Sequence, residues 1–149
     1  MKRFIAVLCC MLLCGCSDSA LSLDEYAAEV DAGFVDYLGA EHHLYDAMTA
    51  VDAQAAEKAA VACIKVLERM EALDAPRELS KAEERFDEAL NAEMEYIERT
   101  CEFIVLRAEG KNTDRFNELA EINKEYISEN RIGTAYSDML SAIIDVRES

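Results

Sequence analysis

The sequence predicts an all-α protein, an antiparallel up-down four-helix bundle. Apolar residues recur at alternating intervals of three and four along most of the chain, which is the spacing of one helix face. The 149 residues include one proline and five glycines, so residues that break helices are scarce. Apolar residues make up 52% of the chain. This share is enough for a hydrophobic core in one domain, predicted over residues 22–149.

The first two predicted helices each begin at a cap. Ser22-Leu23-Asp24-Glu25 forms a capping box, in which the Ser22 and Glu25 side chains bind free backbone N–H groups. Asp52 is predicted to cap a second, alanine-rich helix. The inner faces are predicted at Tyr26, Val30, Gly33, Tyr37, Ala40, Leu44, Ala47 and Val51 in the first helix, and at Ala56, Ala60, Cys63, Leu67 and Met70 in the second.

The third predicted helix starts at the only proline. Pro76 is tolerated in the first turn of a helix, and Asp74 is its predicted cap. Gly110 is predicted to end the helix as its C-terminal cap. The predicted inner residues are Leu79, Ala82, Phe86, Leu90, Met94, Ile97, Cys101, Ile104 and Ala108.

The fourth predicted helix begins at Thr113 and Asp114. Asn130 and Gly133 are expected to kink or split it near residues 130–134. The predicted inner residues are Phe116, Leu119, Ile122, Tyr126, Tyr136, Leu140 and Ile143. Short connections make successive helices antiparallel, which brings the start of the bundle, the Pro76 loop and the C-terminus to one end.

The chain is strongly acidic. It has 31 acidic and 15 basic residues, a net charge of −16. Such a charge repels a phosphate backbone, so we predict that the protein does not bind nucleic acid.

The N-terminus has the order of a secretory signal. Lys2 and Arg3 precede ten uncharged residues, Phe4 to Leu13, a run too short to span a membrane. The following Leu13-Cys14-Gly15-Cys16 resembles the signal of bacterial lipoproteins, in which a small residue precedes an obligatory cysteine. The resemblance implies that residues 1–15 are a cleaved signal peptide and that Cys16 carries fatty acids such as palmitate. Residues 16–21 are then a lipid anchor and a short tether.

The same resemblance implies a location outside the cytoplasm. Ser17 follows the cysteine where an aspartate would retain a lipoprotein in the inner membrane. The implied site is the outer membrane if the cell has two membranes, and otherwise the outer face of the cytoplasmic membrane. The helix junction Leu73-Asp74-Ala75-Pro76-Arg77-Glu78-Leu79 also resembles small uncharacterised helical bacterial lipoproteins, which implies the fold and no activity.

Two cysteines, Cys63 and Cys101, lie beyond the predicted anchor, both on inner faces. If the chain turns near Ala75, Cys63 lies twelve residues before the turn and Cys101 twenty-six after it. That offset separates them by ~21 Å along the bundle. Bridged Cα atoms lie within about 7 Å. We therefore expect free core thiols rather than a disulfide.

His42 and His43, beside Glu41 and Asp46, are candidate metal ligands because imidazole and carboxylate groups bind zinc or iron. The helix phase points His42 away from the core and places His43 at its edge, so the two cannot share an ion inside the bundle. The sequence also has no Glu-x-x-His pairs of the kind found in di-iron bundles. We predict no metal ligands and no cofactor.

The carboxylates of the last two helices mostly fall outside the apolar faces. They predict a solvated acidic surface that can attract cations or a basic partner. These carboxylates are Glu84, Glu88, Glu95, Glu98, Glu102, Glu118, Glu121, Glu125 and Glu129.

The sequence has no serine-nucleophile motif, glycine-rich phosphate loop or calcium loop. We therefore predict no catalytic residues.

These features predict that the protein is not an enzyme but a binding or assembly module at the bacterial cell envelope. It would contact the membrane through its anchor and an envelope protein through its helices. The alternative is a bundle that carries a ligand or a metal in its interior. Tight packing of the aromatic stripe favours the module, and an open cavity favours the carrier. The stripe comprises Tyr26, Tyr37, Tyr126 and Tyr136.

Overall fold

A computed structural model describes residues 21–111, 113–129 and 131–149, apart from the side chain of Ser128. The predicted signal peptide and Cys16 lie outside these ranges. Within them the chain forms helices and no strand, which confirms the predicted all-α class. The helices are α1 (Leu23–Ala50), α2 (Ala53–Glu71), α3 (Ser80–Ala108), α4 (Asp114–Glu129) and α5 (Arg131–Glu148).

The caps of the first two helices are confirmed. The Ser22 hydroxyl accepts the Glu25 N–H, and the Glu25 carboxylate accepts the Ser22 N–H in return. The Asp52 carboxylate accepts the Ala55 N–H at 3.0 Å. Between the two helices Val51 adopts the left-handed conformation, with φ of 56°. This residue ends α1 and turns the chain directly into the cap of α2.

The start of α3 differs from the prediction. A 3₁₀ turn, Arg77–Leu79, precedes the helix, and Asp74 does not cap it. The Asp74 carbonyl instead accepts the Leu21 N–H at 3.1 Å, while the Glu83 carboxylate accepts the Ala75 N–H. The C-terminal end is as predicted, since Gly110 takes the left-handed conformation with φ of 67°.

The predicted up-down arrangement is confirmed. α1 packs on α2, α2 on α3, and α3 on both α4, which ends at Glu129, and α5, which begins at Arg131. Together α4 and α5 occupy the place of the fourth predicted helix, and we call them the fourth rod. At one end, Leu21 bonds the loop before α3, and Arg147 of α5 bonds Asp24 of α1 at 2.6 Å. Both described termini therefore lie at this end, which we call the terminal end. The opposite end, with the α1–α2 and α3–α4 connections, is the loop end.

The predicted inner face of α2 is fully buried, and those of α1 and α3 are largely buried. In α4 and α5 the prediction is correct for Leu119 and Ile143, which are buried, and wrong for Ile122, which is 36% exposed while the neighbouring Asn123 is buried. Ile132 and Met139 are also buried, whereas the predicted Tyr136 and Leu140 are half-buried.

The register of α2 against α3 also corrects the expected cysteine spacing. The Asn91 amide donates to the Glu71 carboxylate at 2.7 Å, which places these residues opposite each other. Cys63 lies eight residues before Glu71 and Cys101 ten after Asn91. The axial offset is thus only ~3 Å, not ~21 Å.

The physical reason is that α2 stops short of the terminal end. α2 has 19 residues, against 28 in α1 and 29 in α3, and residues 72–79 complete its path. Both cysteines are free in the structure, Cys63 buried and Cys101 half-buried. Burial, together with the nearby Glu41 and Glu93, raises the pKa of the Cys63 thiol to about 12.

Gly33 permits the close approach of α1 to α2. A Cβ atom at this position would lie 2.5 Å from Met70 Cγ and 2.8 Å from Met70 Sδ. Gly39, two turns further along α1, has no such neighbour within 4 Å. The two glycines therefore form a matched pair for testing the α1–α2 contact.

We expect Gly33→Ala to lower the free energy of unfolding by about 1–2 kcal/mol, because the cost of overpacking exceeds the gain in helix propensity. Gly39→Ala should raise it by about 0.5–1 kcal/mol. Urea denaturation of the two variants measures both effects. In a Met70→Ala background, the loss from Gly33→Ala should disappear. Equal effects of the two alanines in the wild-type background would contradict the described contact.

Candidate functional site

The most buried acidic side chain of the core is Glu93, on α3, which is 2% exposed. The Tyr37 hydroxyl of α1 donates to Glu93 Oε1 at 2.5 Å. The Tyr126 hydroxyl of α4 donates to Oε2 at 2.8 Å. Both carboxylate oxygens thus have a donor, and three helices meet at this one side chain. A buried carboxyl group needs such donors, because burial without them is costly.

Burial raises the pKa of Glu93, although the two phenol donors oppose that effect. Burial also raises the pKa of the neighbouring Glu41 carboxyl. The phenols of Tyr37 and Tyr126 have pKa values raised by burial and then by the charge of Glu93. These phenols therefore keep their protons at neutral pH and continue to donate.

Aromatic rings extend this network along α3 and α4. Tyr96 stacks on Tyr126, with 4.7 Å between ring centroids and 13° between planes. The Arg99 and Arg131 guanidinium groups lie 5.8 and 5.9 Å from the Tyr126 centroid, within cation–π distance. These contacts link Tyr126 of α4 to Tyr96 and Arg99 of α3 and to Arg131 of α5.

An open cleft lies beside the network, towards the loop end and between α1 and α4. It consists of two cavities of about 300 and 280 Å³, which share Met48, Tyr96 and Thr100. We call it the α1–α4 cleft. The first cavity is also lined by Leu38, Glu41, His42, Leu44 and Tyr45, and the second by Phe103, Ala120, Asn123, Lys124 and Ile127.

The floor of the cleft contains a polar pair. The Asn123 Nδ2 donates to Thr100 Oγ1 at 3.2 Å, and both side chains are buried. The Asn123 Oδ1 is buried and has no hydrogen-bond partner among the described residues. A native core rarely leaves such an acceptor unpaired. Because the Asn123 side chain lines the second cavity, a rotation of its amide would present this acceptor to a ligand.

Of the residues that the sequence singled out as metal candidates, Glu41 and His42 line the first cavity. His42 and His43 are exposed, as the helix phase predicts, and His42 lies 3.8 Å from Asp46. Over the described ranges no three His, Cys, Asp or Glu side chains are grouped to hold a metal ion. Of the four striped tyrosines, Tyr26 and Tyr37 are buried in the core.

The other two striped tyrosines are half-buried and have partners in the structure. The Tyr136 hydroxyl donates to Asp31 at 2.5 Å, and its ring stacks on Phe34 with 3.9 Å between centroids. Tyr126 bonds Glu93, as described above. The stripe therefore packs, and the rings that border the cleft are those of Tyr45, Tyr96 and Phe103.

The sequence prediction missed Glu93, Tyr96, Thr100 and Asn123. Glu93 is three residues after Leu90 and four before Ile97, so it shares their helix face. Asn123 is four residues after Leu119, on the same face. The helical spacing therefore contained the signal for both positions, and only the assumption that inner residues are apolar excluded them.

We expect Glu93→Gln to remove a pH dependence of stability. The native carboxyl binds its proton more tightly than the unfolded one, whose pKa is ordinarily 4.5. The stabilising contribution is therefore complete below that value and is lost as pH rises through the raised pKa. As pH rises between the unfolded and the native pKa, the free energy of unfolding of the variant should increase relative to the wild type by about 1.4 kcal/mol per pH unit. Urea denaturation across pH measures the difference, and parallel profiles would contradict it.

Two further variants serve as controls for this experiment. Tyr37→Phe removes one donor and should lower the free energy of unfolding by about 1.5–3 kcal/mol at neutral pH, and by less in the Glu93→Gln background.

The second control is Asp87. Burial, with the charges of Glu83 and Glu71, raises the pKa of Asp87 to about 6. Asp87→Asn should therefore remove a separate part of the pH dependence and leave that of Glu93 intact.

Comparison with known proteins does not assign the chain to a family. No family model, no curated protein and no solved structure matches it.

Proposed function

We propose that the protein is a lipid-anchored binding module of the bacterial envelope and that the α1–α4 cleft holds a small ligand. The packed tyrosine stripe favours assembly, whereas the open cleft beside it favours a ligand, and the cleft carries this proposal. Ligand sites are typically concave and mostly apolar, with a few polar groups that fix orientation. The cleft combines apolar and aromatic side chains with the polar groups of Glu41, His42, Thr100, Asn123 and Lys124.

The Glu93 network supports the proposal, since it holds both walls of the cleft without filling it. Tyr37 lies on the α1 wall and Tyr126 on the α4 wall, and both bond the same α3 carboxylate. A site held in advance in this way loses less conformational entropy when a ligand binds.

The location rests on the N-terminal signal. We propose Cys16 as the lipidated residue, in the outer membrane of a two-membrane cell or on the outer face of a single membrane. None of the helices in the described ranges is long and apolar enough to cross a membrane. With residues 16–21 as the tether, the terminal end would face the lipid. The cleft would then open towards the far end of the bundle.

Assembly with a protein partner is the second candidate function. Its support is a set of exposed apolar residues, of which Leu38, Tyr45 and Ile127 line the cleft. Val35, Leu38 and Tyr45 of α1 are 61%, 46% and 60% exposed, and Ile127 of α4 is 62% exposed. Residues spaced in this way on a helix can receive the apolar face of another helix.

Cys16→Ala should leave the protein unlipidated and retained as a precursor, because lipid transfer and the later cleavage both require the cysteine sulfur. Labelling cells with an alkyne-bearing fatty acid, followed by mass analysis, measures both effects. Cys14→Ala is the matched control and should still take the label. If Cys16→Ala takes the label, the anchor has been assigned to the wrong residue.

The ligand-binding role is tested with the protein extracted from its own cells in mild detergent. Native mass spectrometry should find a stoichiometric small molecule bound to the wild type. Ala120→Phe, which places a ring in the cleft, should lose it. Ala28→Phe, at an exposed position on α1, should keep it. A molecule retained equally by both variants would place the site outside the cleft, and a stoichiometric protein partner instead would favour assembly.

A further inference from the structure

The unpaired Asn123 Oδ1 indicates what kind of group the cleft can bind. Asn123 is 8% exposed, and its Nδ2 is already bonded to Thr100. The remaining Oδ1 is an acceptor, so it can pair only with a donor. An unpaired buried acceptor is costly, and a ligand that brings an N–H or O–H group recovers that cost on binding.

The surroundings favour a donor with a positive charge. The Glu41 carboxylate and the rings of Tyr45 and Tyr96 line the cavity next to Thr100. Carboxylates attract cations directly, and aromatic rings attract them through their negative faces. The net charge of −16 adds a favourable long-range field for a cation and an unfavourable one for an anion.

The basic groups at the cleft do not cancel this preference, because each faces an acidic partner. Lys124 Nζ lies 4.0 Å from Glu121, and His42 Nε2 lies 3.8 Å from Asp46. The rest of the lining is largely apolar and suits a hydrocarbon or aromatic body. Its main members are Leu38, Met48, Phe103 and Ile127.

We infer that the α1–α4 cleft binds a small organic cation, an ammonium or similar donor carried on an apolar body. The Glu41 carboxylate supplies the opposite charge, and the apolar body packs along Met48. The Asn123 amide turns towards the cavity that it lines, and its Oδ1 accepts a hydrogen bond from the donor group. The inference rests on the proposed function, namely that the cleft is the ligand site, and it adds the chemical class of the ligand.

The experiment uses the full-length chain in detergent with isotope-labelled methionine methyl groups. Met48 borders both cavities and reports on the cleft, whereas Met70 and Met139 are buried in the core and serve as internal controls. The probes share one apolar body and differ in the polar group: phenethylammonium, phenethyl alcohol and hydrocinnamate. We expect a saturable shift of the Met48 methyl signal with the ammonium in the millimolar range, and weaker binding of the alcohol and the carboxylate.

Two substitutions test the roles of the polar groups. Glu41→Gln should reduce the preference for ammonium over alcohol by about two- to fivefold, the range measured for partly exposed ion pairs. Glu68→Gln removes an equal charge from an exposed position on α2 and should leave the preference unchanged. Asn123→Leu should weaken the ammonium and the alcohol alike, because both bring a donor.

Each contrary outcome has a distinct meaning. Equal or stronger binding of the alcohol or the carboxylate would overturn the cation class and leave the cleft as the ligand site. A Met48 signal unmoved by all three probes would overturn the inference, while the native ligand analysis with Ala120→Phe would still decide the proposed function. Shifts of Met70 and Met139 equal to that of Met48 would show unspecific binding and would also overturn it.

Discussion

The Glu93 carboxylate, buried in the core and bonded by phenols from two other helices, fixes the positions of α1 and α4 on α3. If one phenol were missing, one carboxylate oxygen would have no donor. The helix that carries that phenol would then lose its hydrogen bond to α3. Because Tyr37 is fully buried and Tyr126 only partly so, the two bonds differ in their exposure to solvent. The α1 side of the network is therefore the drier side, and water has access from the α4 side.

The two ends of the bundle are packed differently. At the terminal end, α2 is too short to reach the level of Leu21, and the buried Ala75 and Leu79 of the connecting segment fill the space. At the loop end, none of the described segments fills the space between α1 and α4, and the cleft lies there. The open end coincides with the α4 half of the split fourth rod, whereas α5 packs on both α1 and α3.

The sequence predicted the helices well, because caps and spacing are local signals. The capping box at Ser22 and the glycine cap at Gly110 depend only on residues within a few positions. The axial position of Cys63 relative to Cys101 depends on the path of residues 72–79 between α2 and α3. The spacing of apolar residues within each helix does not predict that path. The site was missed for another reason: Glu93 and Asn123 have the right spacing and the wrong polarity, and only the tertiary partners Tyr37 and Thr100 explain their burial.

The packing of α4 has a consequence for cooperativity. α4 rests chiefly on α3, whereas α1 is supported by both α2 and α5. A helix with one main neighbour opens at a lower free energy than the rest of a bundle, as a separate unfolding unit whose amide protons exchange first. A molecule seated between α1 and α4 would give α4 a second neighbour. Binding in the cleft would then slow the amide hydrogen exchange of residues 114–129, even if the positions of the helices did not change.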